Sequence, residues 1–328
     1  MRLLVTGGAG FIGSHYVRTL LSGGYPGYED AHVTVLDKLT YAGNLANLAP
    51  VAESPRYRFV QGDITDASLL DEVLPGHDAV VNFAAETHVD RSISGAADFV
   101  LTNVLGVQTL FDALMRTGVP RIVHVSTDEV YGSIEDGSFT EASPLQPNSP
   151  YSAAKAGGDL LARAYFVTHK VDVSITRCTN NYGPYQYPEK VIPLFVTNLL
   201  DGKKVPLYGD GLNIRDWLHV DDHCRGIQLV LAGGRAGETY NIGGGVELTN
   251  RELTERLLAA CGRDWDEFVD YVEDRKGHDR RYSLSDAKIR EELGYAPGMS
   301  FDQGLADTVR WYREREDWWR PLKEGNAA

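Results

Sequence analysis

The chain has 328 residues, a formal charge of −14, 43% hydrophobic and 24% charged residues. That size and balance fit a globular enzyme of one large domain, with or without a smaller lobe, and the acidity argues against a nucleic-acid binder. The three cysteines (Cys178, Cys224, Cys261) are odd in number and lack metal-ligand spacing, so they fit a reducing cytoplasm better than a disulfide framework, and no metal site is expected.

"RLLVTG" (2–7) is a short apolar run read as a strand, and 10–24 carries apolar residues at helical spacing before closing on glycines. Strands are predicted at 32–37, 57–63 and 78–85, and a long amphipathic helix at 97–118. A strand at 121–127, a helix at 152–169 and a strand at 171–178 follow. This alternation implies a parallel sheet covered by helices on both faces. Past "NNYGPYQYPEK" (180–190) Pro, Gly and Tyr become frequent and the pattern loosens. One more strand is predicted at 239–245, then a helix at 249–262 capped by Thr249 or Asn250 with Glu252 in its first turn. The expected architecture is α/β: a doubly wound parallel sheet with a smaller mixed α/β C-terminal lobe. Residues 1–184 and 215–245 are assigned to the first, and 185–214 and 246–328 to the second. No run approaches the ~18 apolar residues of a membrane span, which favours a soluble, cytoplasmic protein with no membrane partner. The tail 323–328 reads as disordered.

Gly7, Gly10 and Gly13 stand at Gly-x-x-Gly-x-x-Gly spacing between a strand and a helix. Glycine lets the backbone approach a pyrophosphate, and the helix N-terminus favours its charge, so the domain is Rossmann-type. Asp37 ends the second strand, near the ~20-residue offset of the acid that binds an adenosine ribose. A carboxylate there repels a 2′-phosphate and favours NAD over NADP; Lys38 works against that preference. Asp63, at the end of the third strand, either holds an adenine amino group or caps its own loop. The small residues of "FAAET" (83–87) allow close approach to the dinucleotide.

Tyr151 and Lys155 share one face at the start of a helix. A free phenol has a pKa of ~10, and a neighbouring ammonium and the positive nicotinamide ring favour the phenolate. Tyr151 then takes a proton from an alcohol whose carbon gives up hydride. The preceding strand ends "STDEVYG" (126–132), with two acids side by side.

In this order the Gly run, Asp37, Asp63, "STDE" and Tyr151-x-x-x-Lys155 resemble the extended short-chain dehydrogenases/reductases, over nearly the whole chain. Members typically act on nucleotide-linked sugars. Oxidising a sugar hydroxyl acidifies the adjacent C–H, which a carboxylate base can remove while an acid protonates a hydroxyl one carbon further on. "TDEVYG" with Tyr151 and Lys155 looks like the signature of dTDP-glucose 4,6-dehydratases. That resemblance implies C4 oxidation with NAD, loss of water across C5–C6 and reduction at C6, giving a 4-keto-6-deoxy sugar. Asp128 would protonate the departing C6 hydroxyl and Glu129 remove the C5 proton. Tyr151, supported by Lys155, would deprotonate the C4 hydroxyl, to which Thr127 hydrogen-bonds. Nucleotide-sugar 4-epimerases resemble the chain elsewhere but lack the acid pair; a non-catalytic dinucleotide sensor would not need Tyr151 and Lys155.

The resemblance extends the dinucleotide set to Phe11, Ile12, Leu39, Thr40, Ile64, Phe83, Ala84, Ala85, Thr87, Thr102, Ser126 and Asn181. For the sugar nucleotide it implies His88, Asn180, Lys190, Val191, Pro206, Asn250 and Tyr282. Tyr208 offers a face for the base, His278 is a further candidate, and Arg215 and Arg275 are the expected diphosphate clamps. Thr179 and Lys276 depart mildly from the pattern, which more often has Ser and Pro. A homodimer is expected, paired through helices near 97–118 and 152–169. A wider likeness, carried by no single motif, is to antibiotic deoxysugar pathways such as that of desosamine. Two structural demands follow. Adjacent side chains on a strand face opposite ways, so the chain must bend at 128–130 for both acids to reach one sugar. Asp128 must also be held protonated by burial or by Glu129.

Overall fold

The computed structural model describes residues 1–275 and 277–324; Lys276 and the last four residues of the predicted disordered tail lie outside them. The strands are β1 (Arg2–Thr6), β2 (His32–Asp37), β3 (Tyr57–Gln61), β4 (Ala79–Asn82), β5 (Arg121–Thr127), β6 (Asp172–Cys178), β7 (Asn180–Tyr182), β8 (Val205–Tyr208), β9 (Ile214–His219), β10 (Thr239–Ile242), β11 (Glu247–Thr249) and β12 (Val269–Val272). Seven of them form one sheet in the order β3-β2-β1-β4-β5-β6-β10, all parallel. The doubly wound sheet expected from the alternation is therefore present. Its strands are apolar because helices cover both faces. Tyr16, Val17 and Leu20 of Phe11–Leu21 pack with Ile227 and Val230 of Val220–Gly233 on one side. Leu110, Phe111 and Leu114 of Val107–Thr117 pack with Ala162 of Pro150–His169 on the other. The chain order reverses between β1 and β4, which opens a crevice at the C-terminal strand ends.

Three predicted strands are shorter than expected: 57–63 contracts to Tyr57–Gln61, which leaves Asp63 in the following loop, 78–85 to Ala79–Asn82, and 239–245 to Thr239–Ile242. Residues 83–87 leave the sheet and become cavity wall. The predicted helix at 97–118 is continuous but changes winding, with α turns at Ala97–Val100 and Val107–Thr117 and a π segment at Leu101–Gly106 between them. Within it the Asn103 side chain accepts from the Glu86 N–H and donates to the Glu86 carbonyl, both at 3.0 Å. Wide turns of this kind recur at functional sites, and this one clamps the wall loop.

A second core gathers Tyr182, Ile192, Phe195, Trp217, Leu253, Tyr312 and Trp319. It is bounded by β11-β9-β7 and β12-β8; all but the six-residue β9 are strands of three or four residues, too short for periodicity to reveal. Thr249, not Asn250, caps the helix Asn250–Cys261, with Glu252 reaching back to the Thr249 N–H. Lys323 and Glu324, expected in the tail, belong to the helix Glu316–Glu324, where Lys323 bonds Asn198 at 2.9 Å. Among the described residues no helix is long and apolar enough to cross a membrane.

Candidate functional site

A cavity of about 310 Å³ runs along the strand ends, and a second of about 210 Å³ continues it toward the C-terminal core. Thr87, Glu129, Asn180, Asn181, Gln186, Glu189 and Lys190 border both, so they mark the seam.

The first cavity has the shape a dinucleotide needs. Gly7 has φ +67°, and a Cβ there would lie 2.6 Å from the Ala84 nitrogen; a Cβ on Gly13 would lie 2.4 Å from the Gly7 carbonyl oxygen. The helix that follows starts at Gly10 without a side-chain cap, so its amide end is open to an anion. Asp37 is fixed by the N–H groups of Ala9 (2.9 Å) and Leu39 (2.8 Å). Burial pushes its carboxyl up, and those N–H bonds oppose the rise. Lys38, expected to blunt the preference against a phosphate, is held by Asp63 at 2.7 Å. Asp63 also accepts from the Thr65 N–H at 2.9 Å, so the loop-capping role is realised. Gly10, Phe11, Ile12, Thr40, Ile64, Phe83, Ala85, Thr102 and Ser126 line the cavity as expected. Leu39 does not: its N–H serves Asp37, and its side chain packs against the core.

At the seam β5 ends in a bend. Thr127 is extended, its hydroxyl accepts from the Glu129 N–H at 3.2 Å, and Asp128–Tyr131 forms a single 3₁₀ turn. Gly132 closes the turn at φ +85°, where a Cβ would meet the Gln146 carbonyl oxygen at 2.3 Å. The bend demanded by the two acids is thus built by a side-chain cap and a glycine. Asp128 is 3% exposed, and its Oδ2 makes no hydrogen bond among the described residues. Burial, then Glu129, then Asp216 push its carboxyl well above the usual range. Burial raises Glu129 as well, but Lys190, Arg215 and Arg275 pull it back toward the charged form. The two neighbours are therefore driven apart in the sense an acid and a base require.

Tyr151 and Lys155 lie on the buried face of Pro150–His169, whose start is fixed by a reciprocal Ser149–Ser152 cap. The expected bias of Tyr151 toward phenolate is not built into the protein. Burial and the charge of Glu129 push its phenol well above 10, opposed by the Thr127 hydroxyl. The Lys155 ammonium instead donates to the Val125 carbonyl at 2.8 Å.

The second cavity collects the predicted sugar-nucleotide residues His88, Val191, Pro206, Tyr208, Arg215, Asn250, Arg275 and His278. Arg215 spans the carbonyls of Ile214 (2.7 Å) and Asp279 (2.8 Å). Tyr282 is not on the wall: its ring backs the Arg215 guanidinium at 4.3 Å, and its hydroxyl donates to Asp279. Arg275 meets His278 Nε2 at 3.1 Å, and His278 Nδ1 meets Asp274 at 2.6 Å. Burial and Arg275 lower the His278 pKa to about 4, so the neutral ring donates to Asp274 and accepts from Arg275. Lys190 donates to the Thr87 carbonyl at 2.9 Å. Asn180 Oδ1 is buried without a partner among the described residues, whereas Asn181 turns to Thr179 and His223. Sequence reasoning passed over Glu189, which pairs with Arg91 (3.2 Å) and lies 3.5 Å from the His88 ring on the seam. Its position beside Lys190 in "PYQYPEK" was the available signal.

The chain belongs to the family described as GDP-mannose 4,6 dehydratase, whose model matches residues 4–308. Within it the chain is 63% identical over 329 residues to a dTDP-glucose 4,6-dehydratase from Streptomyces antibioticus, covering 100% of this chain and 97% of that protein. It is 62% identical over 328 residues, with the same coverage, to one from Streptomyces niveus. The crystal structure of DesIV (dTDP-glucose 4,6-dehydratase) from Streptomyces venezuelae with NAD and TYD bound superimposes with a TM-score of 0.97 at 68% identity, covering 98% of this chain and 100% of that one.

Proposed function

We propose that the protein converts dTDP-glucose to dTDP-4-keto-6-deoxyglucose. The observation that carries this reading is the buried Asp128–Glu129 turn facing the cavity that Tyr151 and Lys155 share. A 4-epimerase has no use for the pair, since it moves hydride without expelling water. When bound, NAD⁺ supplies the hydride acceptor for C4, the hydride returned to C6, and a positive ring charge that favours the phenolate.

The chain's own residues handle the protons. Tyr151 removes the C4 hydroxyl proton, and Thr127 hydrogen-bonds that oxygen. Glu129, kept ionisable by three cations, takes the C5 proton that the new ketone has acidified. Asp128, held neutral by burial, gives its proton to the C6 oxygen, which leaves as water. Each such transfer is worth ~10²–10⁴-fold. Arg215 and Arg275 bind the diphosphate as preoriented forks, and Tyr208 offers its ring to the base. Gly7, Gly10, Gly13 and Asp37 hold the dinucleotide. Residues 1–184 and 215–245 form the cofactor unit and 185–214 with 246–328 the substrate unit; the apolar clusters follow this division in the main, but Tyr182 and Trp217 join the second core and Ile289 and Tyr295 the first.

The protein works as a cytoplasmic homodimer. Its three cysteines are unpaired, in keeping with a reducing compartment. Val100, Leu101 and Leu105 on one helix and Leu160 and Val167 on another are exposed, which supports pairing through those helices. Purified protein incubated with dTDP-glucose should yield a product lighter by one water with no net NADH. Isomerisation without mass change would instead mark an epimerase, and retained NAD without turnover a sensor.

A further inference from the structure

One layer below the cleft, polar side chains cross the sheet in two in-register groups, offset by two residues between β5 and β6, where His124 faces Ile175 and Arg177 faces Ser126. Thr6 on β1 pairs with Asn82 on β4, Asn82 with His124 on β5, and Arg177 on β6 with Asn241 on β10. Thr6 donates to Asn82 at 2.5 Å, and Asn82 Nδ2 meets His124 Nδ1 at 3.0 Å. The helix that carries Tyr151 and Lys155 inserts Asp159 between these groups. Its Oδ2 accepts from Arg177 Nε at 2.8 Å, and its Oδ1 lies 3.6 Å from His124 Nε2. Arg177 Nη1 donates to the Tyr131 hydroxyl at 2.7 Å, which donates to Asn241 Oδ1 at 2.9 Å. Asp159 and Tyr131 are each 1% exposed and Arg177 6%.

None of Tyr131, Asp159 and Arg177 lines either cavity of the cleft. A buried ion pair is a poor way to gain stability, since apolar residues of equal volume often do as well. What it supplies here is register. Tyr131 is the last residue of the turn bearing Asp128 and Glu129. Asp159 lies one helical turn beyond Lys155 on the same face. The helix sits close at this point because Gly158 has no Cβ; one there would lie 2.7 Å from the Asn103 carbonyl oxygen.

The two elements do not depend on the strut equally. Tyr151 and Lys155 have their own anchors: the Ser149–Ser152 cap, the bond from the Tyr151 N–H to Ser92 (3.1 Å) and the bond from Lys155 to Val125. The acid turn is short. Beyond its internal bonds it is held by the Gln146 N–H to the Val130 carbonyl (3.0 Å), by Tyr131 stacked on Phe139 at 5.0 Å, and by the Tyr131 hydroxyl.

We propose that Asp159, Arg177 and Tyr131 are positioning residues that hold the acid turn in register with the Tyr151–Lys155 face. Loosening them slows the loss of water more than C4 oxidation. This rests on the dehydratase reading. The test is Tyr131→Phe, mixed with dTDP-glucose in deuterium oxide under single-turnover conditions. Near-ultraviolet absorbance of the reduced cofactor follows C4 oxidation, and mass follows water loss and deuterium at C5. In the wild type the oxidised intermediate should drain as it forms. In the variant, oxidation should stay near the wild-type rate while elimination slows by up to about 100-fold, the cost of a displacement near 1 Å. The absorbance should then accumulate. A chain that is only less stable loses both steps in proportion, so an unchanged ratio of the two rates overturns the proposal. If Tyr131→Phe does not fold, Arg177→Lys, which keeps the charge beside Asp159 but loses the fork to Tyr131, is judged by the same ratio. Wild-type protein that neither oxidises nor dehydrates dTDP-glucose sinks the dehydratase reading instead.

Discussion

The dinucleotide end of the cleft is shaped by main chain and small residues, with Gly7 against Ala84, Gly13 against Gly7, and Asp37 locked by two backbone N–H groups. The sugar-nucleotide end is shaped by long charged side chains, each oriented by a carbonyl or a neutral ring: Arg215 by Ile214 and Asp279, Arg275 by His278, Lys190 by Thr87. One end recognises by close approach and the other by charge fixed in advance. They should therefore fail differently, the first to an added methyl and the second to a lost fork. The seam between them, where Asp128 and Glu129 sit, should fail in the chemistry and not in binding.

The largest effects belong to the seam. Glu129→Gln should lower turnover by about 10²–10⁴-fold and abolish exchange of the C5 proton with solvent while some C4 oxidation survives. Normal exchange measured by mass or NMR would remove Glu129 from its role. The pH profile of elimination carries the same assignment. Glu129 must be ionised, so the rate climbs as pH rises through its raised pKa. Asp128 must be protonated, so the rate falls as pH passes its own raised pKa.

Next comes the main-chain end. Gly13→Ala places a Cβ 2.4 Å from the Gly7 oxygen. Overpacking of that kind costs about 1–3 kcal/mol, so NAD should bind about 10–100-fold more weakly by calorimetry and be lost on purification. Unchanged affinity would mean that close approach is not how this end works. At the charged end, Arg215→Lys keeps the charge but loses the fork. KM for dTDP-glucose should rise about tenfold with kcat nearly kept, since hydrogen bonds to charged groups are worth about 1.5–3 kcal/mol. A fall in kcat with KM unchanged would move Arg215 from binding to chemistry.

The same contrast explains what could be read from the sequence. At the cofactor end a glycine run and strand-terminal acids keep fixed offsets, so Gly7, Gly10, Gly13, Asp37 and Asp63 were legible by spacing, and resemblance supplied the rest of that wall. Leu39 was the exception, because its left-handed backbone (φ 58°) turns the N–H, not the side chain, to use. The substrate end is assembled from the distant segments 88, 190, 206–215, 250 and 275–278, which spacing alone does not bring together. Resemblance gathered most of them, yet it could not tell a wall residue from a supporting one: Tyr282 stands behind Arg215. The sign of the Tyr151 shift was also hidden, because it is set by burial and by Glu129 across the cleft, and neither is visible in Tyr-x-x-x-Lys.

The smallest effect is one of stability, and it separates the seam from both ends. Asp128 is buried with an oxygen that has no partner among the described residues, so folding favours its neutral form. Its folded pKa lies above the unfolded value of about 3.9. The stability tied to it is therefore complete below that unfolded value and is lost as pH rises through the folded one. Asp128→Asn removes the titrating group and the cost of burying its charge. The inactive variant should melt higher than the wild type near neutral pH, by about 2 °C for each ~1 kcal/mol recovered. The gap should widen as pH rises and close toward acid. Burial raises Asp37 too, but both its oxygens accept backbone N–H bonds, one of which an amide NH2 cannot accept, so Asp37→Asn should gain less than Asp128→Asn by the same measurement. An Asp128→Asn variant that melts lower at every pH would show that the carboxyl is not held protonated, and would leave the general acid to be found elsewhere.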